Sequence, residues 1–241
     1  MAEELCSSDD ESCAGADLCP LFEERLVSHV AQDVSFEFAG GVCVSVRQKP
    51  EARCVADATV PATCSTERST RTGVVVWDAA VVVAALLAAR AEGPGRRPPV
   101  PKLLELGAGG HGLCGITALL SGACEHAVLT DRPPLMEQLR ENARQNLSQC
   151  GRLGDCTVCP LLWGECGAMD AEYDIVVAAD CVYDLGSAAP LATTIAAALR
   201  RPGGEALVAF DRAIGRDVAY KTFLDSCGCK GLSVESLEQA P

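Results

Sequence analysis

The feature that most constrains this fold is an apolar strand running into a glycine-rich loop and then a helix. Residues 103–115 read LLELGAGGHGLCG, and Gly107, Gly109 and Gly112 have the G-x-G-x-x-G spacing of a nucleotide-binding loop. Glycine at such positions lets backbone N–H groups approach a ligand closely at the positive end of the following helix. The stretch therefore predicts a cofactor loop, but the loop alone does not distinguish NAD from S-adenosylmethionine.

From residue 100 onward, apolar runs alternate with helical patterns, as is typical of a parallel sheet. We predict strands over 102–106, 126–130, 157–162, 173–179, 205–210 and 232–237. We predict helices over 112–121, 134–147, 188–199 and 218–227. Arg140, Asn142 and Arg144 make the second of these helices amphipathic. The pattern predicts an α/β fold with a Rossmann-like, doubly wound, mainly parallel sheet.

The N-terminal third differs in composition from the rest of the chain. Residues 1–20 are acidic and serine-rich, which predicts a disordered tail. Residues 34–38 and 42–46 alternate apolar and polar side chains around Ala39-Gly-Gly, which predicts a β-hairpin, and 48–72 suit a linker or long loop. An apolar helix over 77–91 follows. We therefore divide the chain into a tail (1–20), a hairpin with linker (21–72) and a cofactor-binding domain (73–241).

Charge and hydropathy exclude several classes of partner. The net charge is −13, and the first 24 residues contribute eight acidic groups and no Lys or Arg. This balance disfavours nucleic acid, whose phosphates are bound by clusters of Lys and Arg. No apolar run reaches the roughly 18 to 20 uncharged residues of a membrane span. No secretory signal is visible, so we expect a cytoplasmic or nuclear protein.

Fifteen cysteines in a chain without a visible secretory signal predict reduced thiols that pack as small apolar residues. Cys156 and Cys159, flanked by Cys150 and Cys166, have part of a metal-ligand spacing. Their spacing is irregular and no second C-x-x-C pair follows, whereas zinc ligands usually come as two pairs. We therefore predict no metal site.

Two carboxylates accompany the glycine loop. Glu105 stands two residues before Gly107, where two phosphates of NAD would repel it with no compensating cation nearby. S-adenosylmethionine has no phosphate and offers ammonium and sulfonium groups instead. Asp131 ends the second predicted strand, where an acid accepts hydrogen bonds from ribose hydroxyls of either cofactor. These residues favour S-adenosylmethionine, while Glu105 as a cap of neighbouring amides and Asp131 as a helix cap remain alternatives.

Five motifs occur in order along the chain. They are GVVVWDAA (73–80), LLELGAG (103–109), LTD (129–131), LWG (162–164) and AADCVY (178–183). Together they resemble the seven-β-strand, S-adenosylmethionine-dependent protein methyltransferases of the family-16 lysine-methyltransferase group. The resemblance covers roughly residues 73–212. It implies methyl transfer to a side-chain nitrogen, expected to be that of lysine, in a non-histone protein.

The resemblance also implies a role for each matching residue. For the cofactor it implies that Trp77 lines the pocket, that Gly107, Ala108 and Gly109 hold the methionine part, that Asp131 binds the ribose, that Trp163 lies against the adenine and that Ala179 forms the floor. For the acceptor it implies that Asp180 and Tyr183 form the D-x-x-Y element where the side chain enters. Without the family pattern, the tryptophans are equally explained as core residues, and Asp180 with Tyr183 as a helix cap and a packing residue.

The chain departs from the family pattern at two places. Gly110-His111 makes the glycine loop one residue longer, and we expect the histidine in solvent, with a catalytic role as the alternative. A final antiparallel strand is not apparent, so we expect either that the N-terminal hairpin compensates for it or that this sheet is a shortened form. Three other functions remain open: a methyltransferase for nucleic acid or small molecules, an NAD-dependent oxidoreductase, and a non-catalytic cofactor-binding subunit.

Overall fold

The computed structural model describes residues 26–54, 72–93, 95–165, 172–210 and 216–236. The strands within these residues are β1 Asp33–Phe38, β2 Val42–Arg47, β3 Val100–Leu106, β4 Cys124–Asp131, β5 Cys156–Pro160, β6 Ile175–Ala179 and β7 Glu205–Ala209. The helices are α1 Pro50–Cys54, α2 Asp78–Arg90, α3 Leu113–Ser121, α4 Met136–Leu147, α5 Leu185–Ala198 and α6 Asp217–Cys229.

Five strands form a parallel sheet in the order β5-β4-β3-β6-β7. The strand order reverses at β3. From β3 the chain continues outward on one side through β4 and β5, and then returns to the other side of β3 to form β6 and β7. Open α/β sheets bind ligands in the crevice at this point, outside the carboxyl ends of the strands. The predicted α/β fold with a mainly parallel sheet is confirmed, and the reversal point defines where a site is expected.

The sheet is covered on both faces, as a mainly parallel sheet requires. Successive side chains of β3 point to opposite faces, so Leu103 packs in one core cluster while Leu104 and Leu106 pack in the other. The first cluster lies against α2, α3 and α4, and the second lies against α5 and α6. By this alternation, Glu105 faces the side of α3.

The hairpin β1–β2 is antiparallel, as predicted, and packs on the body of the domain through Val44 and Val46. Asparagines of α4 pair with the backbone of β2 in place of another strand. The Oδ1 atoms of Asn142 and Asn146 accept the N–H groups of Arg47 and Ser45 at 2.8 and 2.9 Å. Asn142 is therefore buried at 1 % exposure, whereas its place in the amphipathic pattern had suggested a solvated face.

Several boundary predictions need correction. Residues 232–236 form no strand, although their alternation is strand-like. The Leu232 N–H donates to Cys227 O at the end of α6, and no strand among the described residues pairs with the segment. Residues 50–54, predicted as part of a linker, form α1. The predicted tail (1–20), most of the linker and residue 237 lie outside the described residues. In the part of the chain that is described, none of the helices has the length and hydropathy to cross a membrane.

Candidate active site at the carboxyl edge of the sheet

A cavity of about 340 Å³ lies outside the carboxyl ends of β3, β4 and β6. Cavities of this size hold small-molecule ligands. Nine of the ten predicted site residues line it: Trp77, Glu105, Gly107, Gly109, Asp131, Trp163, Ala179, Asp180 and Tyr183. The tenth, Ala108, lies behind the wall with no exposed surface, and its N–H donates to Thr130 O at 2.9 Å. Sequence-distant residues are thus brought to one edge of the sheet.

The glycine loop needs its glycines for both conformation and space. Gly107 and Gly109 have φ angles of +69° and +62°, a region that other L-residues rarely occupy. A Cβ at Gly107 would lie 2.6 Å from Cys181 Sγ and 3.0 Å from Trp163 Cζ2. A Cβ at Gly109 would lie 2.8 Å from the backbone oxygen of Gly73. The loop therefore lies closely between neighbouring segments, with backbone rather than side chains facing the cavity.

Glu105 is almost fully buried, at 2 % exposure, where it lines the cavity. Its Oε2 accepts the N–H of Gly115 in α3 at 2.8 Å. Glu105 therefore does cap a neighbouring amide, which the sequence analysis gave as its alternative role. Burial raises the pKa of Glu105 to about 7, against the lowering effect of hydrogen bonds from Gly115 and Cys114. At neutral pH this group is therefore poised between its charged and neutral forms.

Asp131 joins the end of β4 to the glycine loop. Its Oδ2 accepts the Gly109 N–H at 2.7 Å, and its Oδ1 accepts the Arg132 N–H at 2.6 Å. Burial raises the pKa of Asp131, although both of these hydrogen bonds stabilise its charged form. The carboxylate thus orients the loop as well as facing the cavity.

The two tryptophans of the chain stand on the wall. Trp163 follows β5, and its indole lies against Gly107, partly buried in the second core cluster. Trp77 immediately precedes α2 and donates its Nε1–H to Thr72 O at 2.9 Å. The ring of His29 meets it edge-on, with centroids 4.8 Å apart. Each indole is therefore both a packing residue and part of the cavity.

Asp180 directly follows β6 and has a φ angle of +53°, the left-handed region that is costly for a residue with a Cβ. Its carboxylate Oδ1 lies 2.9 Å from Nη1 of Arg216, the residue before α6. Tyr183 lines the cavity three residues further on. Asp184 is the N-cap of α5, and its Oδ1 accepts the Ser187 N–H at 2.9 Å. This end of the cavity therefore carries an ion pair beside a phenol.

His111 is not in solvent, contrary to the sequence expectation. It is 5 % exposed and lines the cavity, with its Nε2 against Gly109. Burial lowers the pKa of His111 to about 4, so the ring is neutral at physiological pH. The reason for the difference is that the loop is tied to the segment around Gly73, where the Gly110 N–H donates to Gly73 O at 2.7 Å, and His111 is buried in the packed loop.

Sequence reasoning also missed cavity residues that carry no local signal. They include Thr72, Asp184, Arg132 and Arg216, whereas Cys181, which also lines the cavity, lies inside the AADCVY motif but was given no role. The two arginines correct the expectation that no cation lies nearby. Neither of them is among the groups that shift the pKa of Glu105, which are burial, its hydrogen bonds and the charge of Asp131. Among the described residues no cluster of His, Cys, Asp and Glu forms a metal site.

Comparison with known proteins identifies the family. The model of the lysine methyltransferase family matches residues 61–230, which is more than half of the chain. The chain belongs to the lysine methyltransferase family. The resemblance stated from the five motifs is thereby confirmed.

Two curated relatives of this lysine methyltransferase family member are similar over part of their length. Protein N-lysine methyltransferase METTL21A of Danio rerio is 42 % identical over 112 residues, which are 45 % of this chain and 47 % of that protein. EEF1A lysine methyltransferase 3 of Mus musculus is 40 % identical over 83 residues, 34 % of this chain and 33 % of that protein. The chain matches about half, or less, of the length of these relatives.

The fold is also that of a solved structure. A putative O-methyltransferase from Nostoc punctiforme superposes with a TM-score of 0.54 at 19 % identity, over 77 % of this chain and 61 % of that one. At this identity the comparison concerns the fold alone. It agrees with the Rossmann-like arrangement of β3 to β7.

Proposed function

We propose that this chain is an S-adenosylmethionine-dependent protein methyltransferase whose acceptor is the side-chain nitrogen of a lysine in a non-histone protein. The family match supports the reaction class. The named relatives are protein lysine methyltransferases, which supports a protein substrate. The observation that carries the proposal is the cavity itself, where the glycine loop, two acids and two indoles meet an acid–phenol element.

The residues present fit the cofactor. Gly107 and Gly109 keep backbone at the wall where a Cβ would fill the space. Glu105 and Asp131 place carboxyl groups beside the loop, and neither forms an ion pair within the described residues. These carboxyl groups favour a cationic nucleoside, but Arg132 and Arg216 line the same cavity, so the family match rather than charge alone selects S-adenosylmethionine over a pyrophosphate cofactor. Trp163 offers an aromatic face for a base.

When bound, S-adenosylmethionine supplies an activated methyl group on a sulfonium centre. The chain's own residues orient the two reactants. The glycine loop with Asp131 and Trp163 would hold the nucleoside, while Asp180 and Tyr183 would orient the incoming amine. Orientation of the reacting atoms accounts for much of the rate of such transfers. A lysine must lose its proton to expose a lone pair, and burial in the cavity lowers the pKa of the amine.

Labelled methyl transfer tests the proposal. The chain is incubated with radiolabelled S-adenosylmethionine and a cell lysate, and the labelled band is hydrolysed to identify methyl-lysine. We expect a labelled protein with the wild-type chain and its loss with Asp180→Ala. Asp33→Ala, which removes an exposed carboxylate far from the cavity, is the matched control. Label in nucleic acid or small molecules, or none at all, would contradict the proposal.

Calorimetry addresses the cofactor separately. We expect S-adenosylmethionine to release heat on binding and NAD to show none at the same concentration. Binding of NAD instead would favour the alternative hypothesis of an NAD-dependent oxidoreductase.

We also propose a cytoplasmic or nuclear location. The free thiols of the described cysteines support it, because such thiols persist in reducing compartments.

A further inference from the structure

Arg216 belongs to none of the five family motifs, yet it lies in the cavity wall at the acceptor end. Its Nη1 is 2.9 Å from Asp180 Oδ1. The side chains are 23 % and 9 % exposed, so water screens this pair only in part. The two residues are separated by 36 positions and come together only in the folded domain.

The backbone holds Asp180 in this orientation. Its N–H donates to Ala209 O at 2.7 Å, which ties the residue to the end of β7 while its φ is +53°. The left-handed region is costly for a residue with a Cβ and is occupied only where the surroundings hold the residue there. The backbone thus fixes the position of the Asp180 Cα at the end of β6, and the carboxylate contacts the Arg216 guanidinium from there.

The pair matters for the protonation of an acceptor lysine. A lysine side chain has a pKa near 10.4 in water and is almost wholly an ammonium at neutral pH. An unpaired carboxylate beside it stabilises the ammonium, whereas a nearby cation destabilises it. A nucleophile needs the neutral amine, so Asp180 alone would orient the nitrogen but also favour its unreactive form.

We propose that Arg216 neutralises Asp180 and thereby favours the neutral, nucleophilic form of the acceptor lysine. This inference rests on the proposed function. Arg216 acts through Asp180 and is therefore a positioning residue. Its role differs from simple anchoring of α6, because anchoring would affect the rate equally at every pH.

Other ionisable groups face the same cavity. Three acids already accept backbone N–H groups: Glu105 from Gly115, Asp131 from Gly109 and Asp184 from Ser187. His111 is neutral, and burial raises the pKa of the Cys181 thiol well above its usual value, so neither carries a charge at neutral pH. Arg132 and Tyr183 also line the wall. All seven are the same in each variant below, so a ratio of rates removes their contribution.

The test compares pH profiles of methyl transfer. Initial rates of label transfer from S-adenosylmethionine into one lysate are measured between about pH 6.5 and 9.5 for the wild type, Arg216→Gln, Arg216→Lys and Asp180→Asn/Arg216→Gln. Loss of one charge near the amine shifts the acidic limb by about one pH unit. We therefore expect the ratio of the Arg216→Gln rate to the wild-type rate to be about tenfold lower at the acidic end than at the basic end. The ratio should vary little with pH for Arg216→Lys and for the doubly neutral variant.

Arg200→Gln is the matched control, since Arg200 also pairs with a buried aspartate, Asp174, but outside the cavity. Arg200→Gln should lower the thermal stability, and the ratio of its rate to the wild-type rate should stay constant with pH. Should Arg216→Gln fail to fold, Asp180→Asn carries the test. Unlike Asp180→Ala, it keeps a side-chain oxygen that can orient the amine, so we expect reduced but measurable transfer, and because it leaves Arg216 facing the amine the acidic limb should move to lower pH. No transfer by the wild-type chain would contradict the proposed function and the inference with it. Transfer with an unshifted limb in these variants would overturn the inference alone.

Discussion

Asp131 and Gly109 are joined by a hydrogen bond of 2.7 Å from the glycine N–H to the carboxylate Oδ2. The bond connects the end of β4 to the loop that follows β3, across 22 residues of sequence. It places a carboxyl group beside the backbone of the glycine loop in the cavity wall. Cofactor affinity should therefore depend on the charge of this one side chain.

Asp131→Asn keeps an oxygen for the Gly109 N–H but removes the charge. A hydrogen bond to a charged group is worth about 1.5 to 3 kcal/mol, so we expect affinity for S-adenosylmethionine to fall by about tenfold or more. Isothermal titration calorimetry measures the change. Asp33→Asn, on an exposed aspartate of β1, should bind as the wild type does. Equal affinity of Asp131→Asn and the wild type would remove Asp131 from the ligand contacts.

Gly109→Ala should destabilise the fold more than a left-handed glycine alone explains. Gly151→Ala is the reference, because Gly151 has a similar φ of +68° and open space around its Cβ position. We expect Gly151→Ala to cost about 1 kcal/mol in urea unfolding. Gly109→Ala should cost about 1 to 3 kcal/mol more, since its Cβ meets the Gly73 backbone oxygen. Similar costs for the two would contradict the close contact.

Tryptophan fluorescence should report ligand binding, since Trp77 and Trp163 are the only two indoles and both face the cavity. We expect S-adenosylmethionine to quench the emission of Trp77→Phe, in which Trp163 remains. Trp163→Phe should lose most of the quenching and bind a few-fold more weakly, because the smaller ring keeps only part of a stacking contribution of about 1 kcal/mol. Full quenching in Trp163→Phe would show that this indole is only a packing residue.

Asn142→Ala and Asn146→Ala should separate stability from ligand affinity. Both asparagines bind the backbone of β2, but only Asn142 also donates to Gly110 O, at 2.7 Å, in the glycine loop. Loss of the Asn142 side chain leaves buried polar groups without partners, so we expect about 2 kcal/mol of destabilisation in urea unfolding for Asn142→Ala and less for Asn146→Ala, whose contacts are only partly buried. Calorimetry should then show weaker binding of S-adenosylmethionine for Asn142→Ala alone. An equal effect of both variants on affinity would argue against transmission through Gly110.

Glu105 should make stability depend on pH. Its pKa is about 7 in the folded chain and near 4.5 when unfolded, so the folded state binds the extra proton between these values. The stabilisation is full below about pH 4.5 and is lost as pH rises through 7. Glu105→Gln removes this dependence, and its stability relative to the wild type should increase from pH 5 to 8 by up to about 3 kcal/mol. If the difference in free energy of unfolding between Glu105→Gln and the wild type stayed constant over this pH range, the raised pKa of Glu105 would be contradicted.

Much of the cavity was predictable because its residues sit at ends of strands. Glu105, Asp131 and Asp180 each lie at or beside the carboxyl end of a strand that is apolar and easily recognised. In a parallel sheet those ends share one edge, so strand order along the sequence was enough to bring them together. The same logic gave Trp163, which follows β5.

The alternation over 232–236 shows where local pattern is insufficient. Its period of two suits a strand, but a strand needs an edge with which to pair, and that edge is supplied by another part of the chain. His111 shows the same limit, since a polar loop residue is usually exposed unless neighbouring segments close over it.

By itself, the sequence determined the strand–loop–helix order, the glycines of the loop and the acids at the strand ends. These features follow from local periodicity and from the backbone freedom of single residues. The tertiary structure alone decided that Arg216 meets Asp180, that Asn142 binds β2 and that His111 is buried. Each of these depends on a contact between segments far apart in the chain, and such a contact exists only once the core has packed and fixed where the segments lie.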